Sequence, residues 1–194
     1  PIILIDRDIF KFPQRSNLDI VCLDNFSAGC VMAQHLIEQG CTHIHFFHRP
    51  DSAYSVDMRL IGIKEVMQQN KLPFNDQNIH CGNPEDPDFV KQIQVIPGKT
   101  GIICANDSTA AVLMSSLTDI GWKISSDLLI CGYDNMKYSM HLKHSLTSFK
   151  QPCEEIANTS VELMFRRVKN KTAFPVTVNL AGEIIIRDSS KFIR

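Results

Sequence analysis

"GIICANDSTAAVLMSSLTDIGWKISSDLLICGYDN", residues 101–135, is the stretch whose reading decides the fold. An apolar run of strand length, Gly101 to Ala105, gives way to the polar pair Asn106 and Asp107. An amphipathic stretch of helix length, Ser108 to Ile120, then stops at Gly121, a residue that ends helices because it tolerates the left-handed backbone. A second apolar run follows from Leu128 to Cys131. Strand, helix and strand in that order form a βαβ unit, and runs apolar on both sides of the pleat belong to a parallel sheet covered on both faces.

The same alternation extends to both ends of the chain. Strands are expected at Ile2 to Asp6, Ile20 to Leu23, His43 to His48, Gln77 to His80 and Glu183 to Arg187. Helices are expected at Ser27 to Gln39, opened by a serine cap and closed by Gly40, at Ser55 to Gln69, and at Glu154 to Lys169 after Pro152. "GNPEDPDF" (82–89) and "NKTAFP" (170–175) read as loops. No internal repeat or low-complexity run interrupts this α/β pattern.

Composition narrows the function. A chain of 194 residues can form one domain or two small lobes, and 20 Lys plus Arg against 21 Asp plus Glu offer no basic surface for a nucleic-acid backbone. The seven cysteines lie singly in mostly apolar stretches with no C-x-x-C pair, which suits buried thiols in a reducing cytoplasm. No signal peptide or membrane-length apolar run is present in the sequence. The start at Pro1, directly in strand-like "PIILIDR", leads us to expect a fragment whose natural beginning is missing.

Ligands of open parallel sheets collect at the carboxyl ends of the strands. Asp6 and Arg7 follow the first strand, Asp24 and Asn25 the second, Asn106 and Asp107 follow "GIICA", and Asp134 and Asn135 follow "LLICGY"; Arg59 lies one turn into its helix. Carboxylates, amides and a guanidinium on one rim suit a ligand rich in hydroxyls, since each side chain donates or accepts in a fixed plane. The same residue types also serve as caps and turn formers. Asp107, Asn135 and Asp24 are better explained that way.

Catalysis finds little support. A Cys-His pair could assemble in principle, with Cys153 or a histidine as the working group, but there is no G-x-S-x-G, H-E-x-x-H, P-loop or G-x-G-x-x-G. "HIHFFH" (43–48) reads as strand alternation rather than a metal site. Met114, Met164 and Phe165, at helical spacing, are expected in the core. No catalytic residue, metal ligand or cofactor is assigned.

Taken together and in order, "PIILIDR", "VCLDNFSAG", "HLIEQGCTHIHFF", "MRLIGIKEVMQQNKL", the stretch 101–135, "LTSFKQP" and "GEIIIRDSS" resemble the effector-binding domain of the lactose- and galactose-repressor family. The resemblance implies a periplasmic-binding-protein-like type I fold of two lobes. A small effector, a sugar or sugar derivative, would sit in the cleft, and lobe movement would be relayed to operator DNA through a domain not in this chain, in a cytoplasmic homodimer. By motif it assigns effector contacts to Asp6 of "LIDR", Arg59 of "MRLIG", Asn106 of "CAND", Asp134 of "GYDN" and Gln151 of "FKQP"; Gln151 comes from the resemblance alone. Dimer contacts would involve the helix at 108–120 and the segment 136–144.

The family's first lobe normally begins with further βα units. The expected division is therefore a remnant of the first lobe at 1–24 and 148–172, and a second lobe at 25–147 and 173–194. Where the family often places an aromatic platform after "IHCGN", this sequence reads "PEDPDF", and Phe89 is the aromatic nearest that position. The alternative is a solute-binding protein of a sugar transporter with the same fold.

Overall fold

The computed structural model of the protein describes residues 1–11, 13–50 and 52–192. Its strands are β1 (Ile3–Ile5), β2 (Asp19–Leu23), β3 (His43–His48), β4 (Ile79–Cys81), β5 (Thr100–Cys104), β6 (Leu128–Tyr133), β7 (Thr147–Lys150), β8 (Thr177–Leu180) and β9 (Glu183–Ile185). The helices are α1 (Asn25–Glu38), α2 (Ser55–Gln69), α3 (Pro87–Val90), α4 (Asp107–Asp119) and α5 (Cys153–Lys169). Six strands form a sheet in the order β4-β3-β5-β6-β7-β9, parallel except for β9, and β1-β2-β8 form a second, parallel sheet. The α/β architecture expected from residues 101–135 is the one observed.

Side-chain alternation along β5 and β6 divides the large sheet's core in two. Ile103, Leu129, Cys131 and Tyr133 face one cluster with Met32 and Leu36 of α1 and Ile63 and Met67 of α2. Ile102, Leu128 and Ile130 face another, with Leu113 and Leu117 of α4 and Val90 of α3. Burial on both faces explains why these strands read as continuous apolar runs.

On the first face, α1 and α2 meet backbone to backbone. A Cβ on Gly29 would collide with the Arg59 carbonyl, and one on Gly62 with the Phe26 carbonyl. Each glycine sits where the other helix has no room for a side chain, so α2 is fixed closely against α1.

Three connections cross between the sheets: β2 into α1 at Leu23–Asn25, β7 into α5 at Lys150–Cys153, and β8 into β9 at Leu180–Glu183. Asp24 N–H donates to Leu180 O across two of them at 2.9 Å. At Gly182 a Cβ would meet Phe149, the Lys150 carbonyl and Leu23, so all three crossovers pack around one glycine.

Several expectations shift. β7 and β8 were not anticipated. In β7, Thr147 and Ser148 are polar yet fully buried, their hydroxyls engaged by Arg187, Ser190 and Asp107, so the strand lacks an apolar signature. β8 is a short edge strand of alternating exposure. The lobe boundaries move with them: residues 148–150 pair within the large sheet, and 177–180, expected in the second lobe, pair with β2.

Other differences are smaller. The loop at 82–89 runs into one helical turn, capped by Asp86 with Pro87 at its first position. Residues 77–78, expected in a strand, belong to a 3-10 turn before β4. Phe165, expected in the core, is 63% exposed on the outer face of α5, whereas Met114 is buried. Among the described residues no helix is long and apolar enough to cross a membrane.

Candidate functional site

Where the carboxyl ends of β1 and β2 approach the start of α2, the structure leaves a cavity of about 230 Å³. Asp6, Arg7, Asp24, Asn25, Tyr54 and Ser55 contribute to its wall, and Arg15 and Phe10 enter from the loop after β1. That volume lies below the roughly 300–1,000 Å³ of drug-sized pockets, so it suits a small ligand. Three carboxylates, two guanidiniums and several amides line it. Such a wall offers a polyhydroxylated molecule both donors and acceptors.

Local structure fixes these groups. Asp6 has φ +75°, a left-handed turn at the strand end, while its N–H donates to Val21 O at 2.9 Å. Asp8 accepts from Ser16 N–H at 3.0 Å and Phe10 N–H at 3.2 Å, tying down the loop that carries Phe10. Burial opposes ionisation of Asp8, but these hydrogen bonds outweigh it and hold its carboxyl below the ordinary value. Arg15 donates to Thr177 Oγ1 at 2.9 Å. Asp24, rather than the serine expected at the start of this helix, caps α1 by accepting from Ser27 N–H at 3.0 Å, and it also lines the cavity.

The remaining nominated residues form a rim at the strand ends of the large sheet. Arg59 is buried, its guanidinium lying 4.2 Å from the centre of the Tyr133 ring; Nε donates to Asn25 Oδ1 at 2.8 Å and Nη1 to Ala105 O. Asn25 in turn lines the cavity and donates to Leu23 O at 3.0 Å. Arg59 thus joins the cavity wall to the ends of β5 and β6 rather than projecting freely into a cleft. Asn106 Oδ1 caps α4 by accepting from Thr109 N–H at 2.8 Å. Asp134, at φ +97°, accepts from Gln151 Nε2 at 2.7 Å. The structure therefore pairs Asp134 with Gln151, links Arg59 to the cavity through Asn25, and places Asp6 on the cavity itself.

Some contributors were missed. Tyr54 and Arg15 fall outside any strand-end pattern: Tyr54 immediately precedes α2, and Arg15 reaches the wall from a loop eight residues beyond Arg7. No sequence signal marks either. Phe89 packs edge-on against Phe47, with ring centres 5.6 Å apart, and lies over Gly82, so it acts in the core and not as a ligand platform.

The chemistry of the site is that of recognition. The Cys22 thiol on the cavity wall is pushed up to about 11, first by burial and then by Asp6 and Asp24, so it stays protonated and unreactive at neutral pH. Cys153 is exposed at the first turn of α5. Among the described residues no group of three or more His, Cys, Asp or Glu side chains could hold a metal ion. His45 Nδ1 and His80 Nε2 lie 3.0 Å apart, and His45 Nε2 lies 3.1 Å from Gln94 O. With Nε2 donating to that carbonyl, Nδ1 must accept from His80. The pair is a satisfied structural contact of neutral rings.

Residues 33–190 match the protein family described as periplasmic binding protein-like domain. The HTH-type transcriptional repressor PurR of Vibrio parahaemolyticus is 28% identical over 183 residues, covering 92% of this chain and 55% of the relative; PurR of Histophilus somni is 27% identical with the same coverage. The chain spans about half the length of the curated relatives it matches. Among solved structures, a LacI family transcriptional regulator from Enterococcus faecium with bound ribose superposes with TM-score 0.82 at 23% identity, covering 100% of this chain and 72% of that one. A regulator from Alkaliphilus metalliredigens complexed with D-xylulofuranose gives TM-score 0.79 at 23% identity, with 97% and 70% covered.

Proposed function

The chain belongs to the periplasmic binding protein-like domain family, and from that premise we propose that it is an effector-binding domain of the LacI type that senses a small sugar or sugar derivative for a transcriptional regulator. The observation that carries this reading is the polar cavity between the small sheet's strand ends and the start of α2, from whose wall a hydrogen-bond chain runs through Asn25 and Arg59 to the Ala105 carbonyl after β5. Asp6 and Asn25 would hold the ligand from the small-sheet side, and Asn106, Asp134 and Gln151 from the large-sheet side. Arg59 would act mainly by fixing Asn25. A ligand touching both sheets binds one relative arrangement better than another and shifts the population toward it by that difference in affinity. The three crossovers around Gly182 are where the chain must bend for such a change.

Operator DNA would be met through an attached domain, consistent with the near-neutral charge of this chain. A homodimer would form along α4 and the segment 136–144, where Met136, Tyr138 and Met140 are exposed. No enzymatic role is proposed; the relatives are transcriptional repressors.

Thermal unfolding against pentoses, hexoses, their phosphates, cellobiose and purines tests the reading. A ligand at about 100 times its dissociation constant adds roughly 2.7 kcal/mol of stability. One sugar should raise the midpoint, and Asp134→Ala should abolish the shift. A panel without any shift, or a shift untouched by Asp6→Ala and Asp134→Ala, would refute it.

A further inference from the structure

Three consecutive amides in the turn after β6 are each taken by a different acceptor. Asp134 N–H donates to Phe149 O at 3.0 Å, Asn135 N–H to Ser148 Oγ at 2.9 Å, and Met136 N–H to Asp107 Oδ2 at 2.8 Å. Two of the three lead back to one group, because the Ser148 hydroxyl donates its proton to Asp107 Oδ1 at 2.6 Å. Ser139 Oγ adds a further bond to Oδ2 at 2.5 Å. Asp107 is wholly buried, and an ionised carboxylate, being an acceptor only, matches three donors.

Capping does not explain this arrangement. The cap of α4 is Asn106, whose side chain already meets Thr109 N–H, so the Asp107 side chain is released for the turn. Gly132 is shaped to admit it: a Cβ there would strike Asp107 Oδ1. The turn itself is strained, with Asp134 at φ +97° and Asn135 at φ +49°, two adjacent non-glycine residues in the left-handed region. Such backbone persists only where its surroundings over-determine it. Glycine at 134 with an apolar residue at 107 would form a turn without strain or a buried carboxylate. The chain instead keeps an aspartate at 134, bonded to Gln151 of the β7–α5 crossover.

We infer that Asp107 is the positioning residue of the candidate site: through Ser148 and Met136 it holds the 134–136 turn in the left-handed form that aims the Asp134 carboxylate at Gln151. This rests on the proposed sugar-sensing role of Asp134. Burial pushes the Asp107 carboxyl above its ordinary value, while its bonds to Ser139, Ser148 and Met136 pull the other way, as expected of a charge retained for its hydrogen bonds.

Amide hydrogen exchange in the 15N-labelled protein tests the inference without a ligand, so the sugar panel can fail while this result stays readable. In Asp107→Ala, exchange at Asn135 and Met136 should rise by about 100-fold, as for local opening, while Ile102 and Ile103 of β5 keep their wild-type rates. The Gln151 side-chain amide resonances should move as Asp134 swings away. Ser148→Ala should release Asn135 but not Met136, and Asp107→Asn, with its one acceptor oxygen turned to the Oδ2 position facing Met136 N–H and its amide nitrogen toward Ser148 Oγ, should keep Met136 protected. Should Asp107→Ala fail to fold, these two variants still decide the matter. Unchanged protection at Asn135 in Ser148→Ala, together with an unmoved Gln151, overturns the inference for want of any link to the turn. A rise shared equally by the β5 amides overturns it too, leaving Asp107 only a core residue.

Discussion

In the large sheet, β6 buries all six of its residues, and α1 buries seven of its fourteen against the core. In the small sheet, β8 alternates exposed and half-buried positions, and α5, though seventeen residues long, buries only Ile156 and Ser160. Val161, Phe165 and Val168 lie more than half exposed on its outer face. Apolar packing thus dominates one unit, and the other leans on polar ties. The chief tie is Asp19, wholly buried, which receives Arg167 Nε at 2.9 Å and Nη2 at 2.6 Å as well as Val176 N–H at 2.9 Å, binding β2 to α5 and to the approach to β8.

The largest expected effect breaks that tie. Asp19→Ala leaves the Arg167 guanidinium without its partner, at a cost of about 3–5 kcal/mol. Exchange protection should be lost in β2 and β8 before β5 and β6; simultaneous loss in both sheets would show that they are not separable units. Next comes Gly62→Ala, whose added methyl forces α1 and α2 apart at a cost of about 3 kcal/mol. Denaturant unfolding should show it, and wild-type stability would mean that the helices have slack.

Acid should reverse the order of weakness. Burial, with His80 beside it, depresses the His45 ring from 6.5 to about 4, so its neutral form stabilises the fold fully above pH 6.5 and progressively less as pH falls toward 4. By pH 5 the loss amounts to about 2 kcal/mol. Asp19 behaves differently. Burial works against its ionisation, but its bonds to Arg167 and Val176 and the charges of Arg167 and Arg166 outweigh this and hold its carboxyl below 3.8, so that tie weakens only in stronger acid. Mild acidification should therefore loosen β3 and β4 while β2 stays protected, and His45→Gln should reduce the difference in stability between pH 7 and pH 5 without abolishing it, because burial depresses His80 and His35 as well. The smallest effect is expected from Lys150→Ala. The Lys150–Glu183 pair, at 2.8 Å, is about half exposed on both sides, and its loss should leave the denaturant midpoint nearly unchanged.

The same contrast explains what could be read beforehand. His43–His48 is legible to the residue because its residues alternate as a strand's do, and Ser55–Gln69 because its apolar residues recur at helical spacing. β7 was hidden because its buried residues are hydroxylated, and β8 because a half-exposed edge strand has little apolar pattern. Within the site, strand-end polarity pointed to Asp6, Asn106 and Asp134. It gave no hint that Arg59 is committed to Asn25 and Ala105, so truncating Arg59 should cost stability as well as ligand affinity. Asp107 read as a helix-start residue because its partners, Ser139 and Ser148, are 32 and 41 residues away.

The most direct test of a sugar site spanning both sheets is an amide spectrum of the 15N-labelled protein titrated with pooled pentoses, hexoses and their phosphates. Resonances of Asp6, Asn25 and Tyr54 should shift together with those of Asn106, Asp134 and Gln151 and saturate at one ligand concentration. Shifts confined to a single sheet, or none with any pool, would contradict a binding site between them.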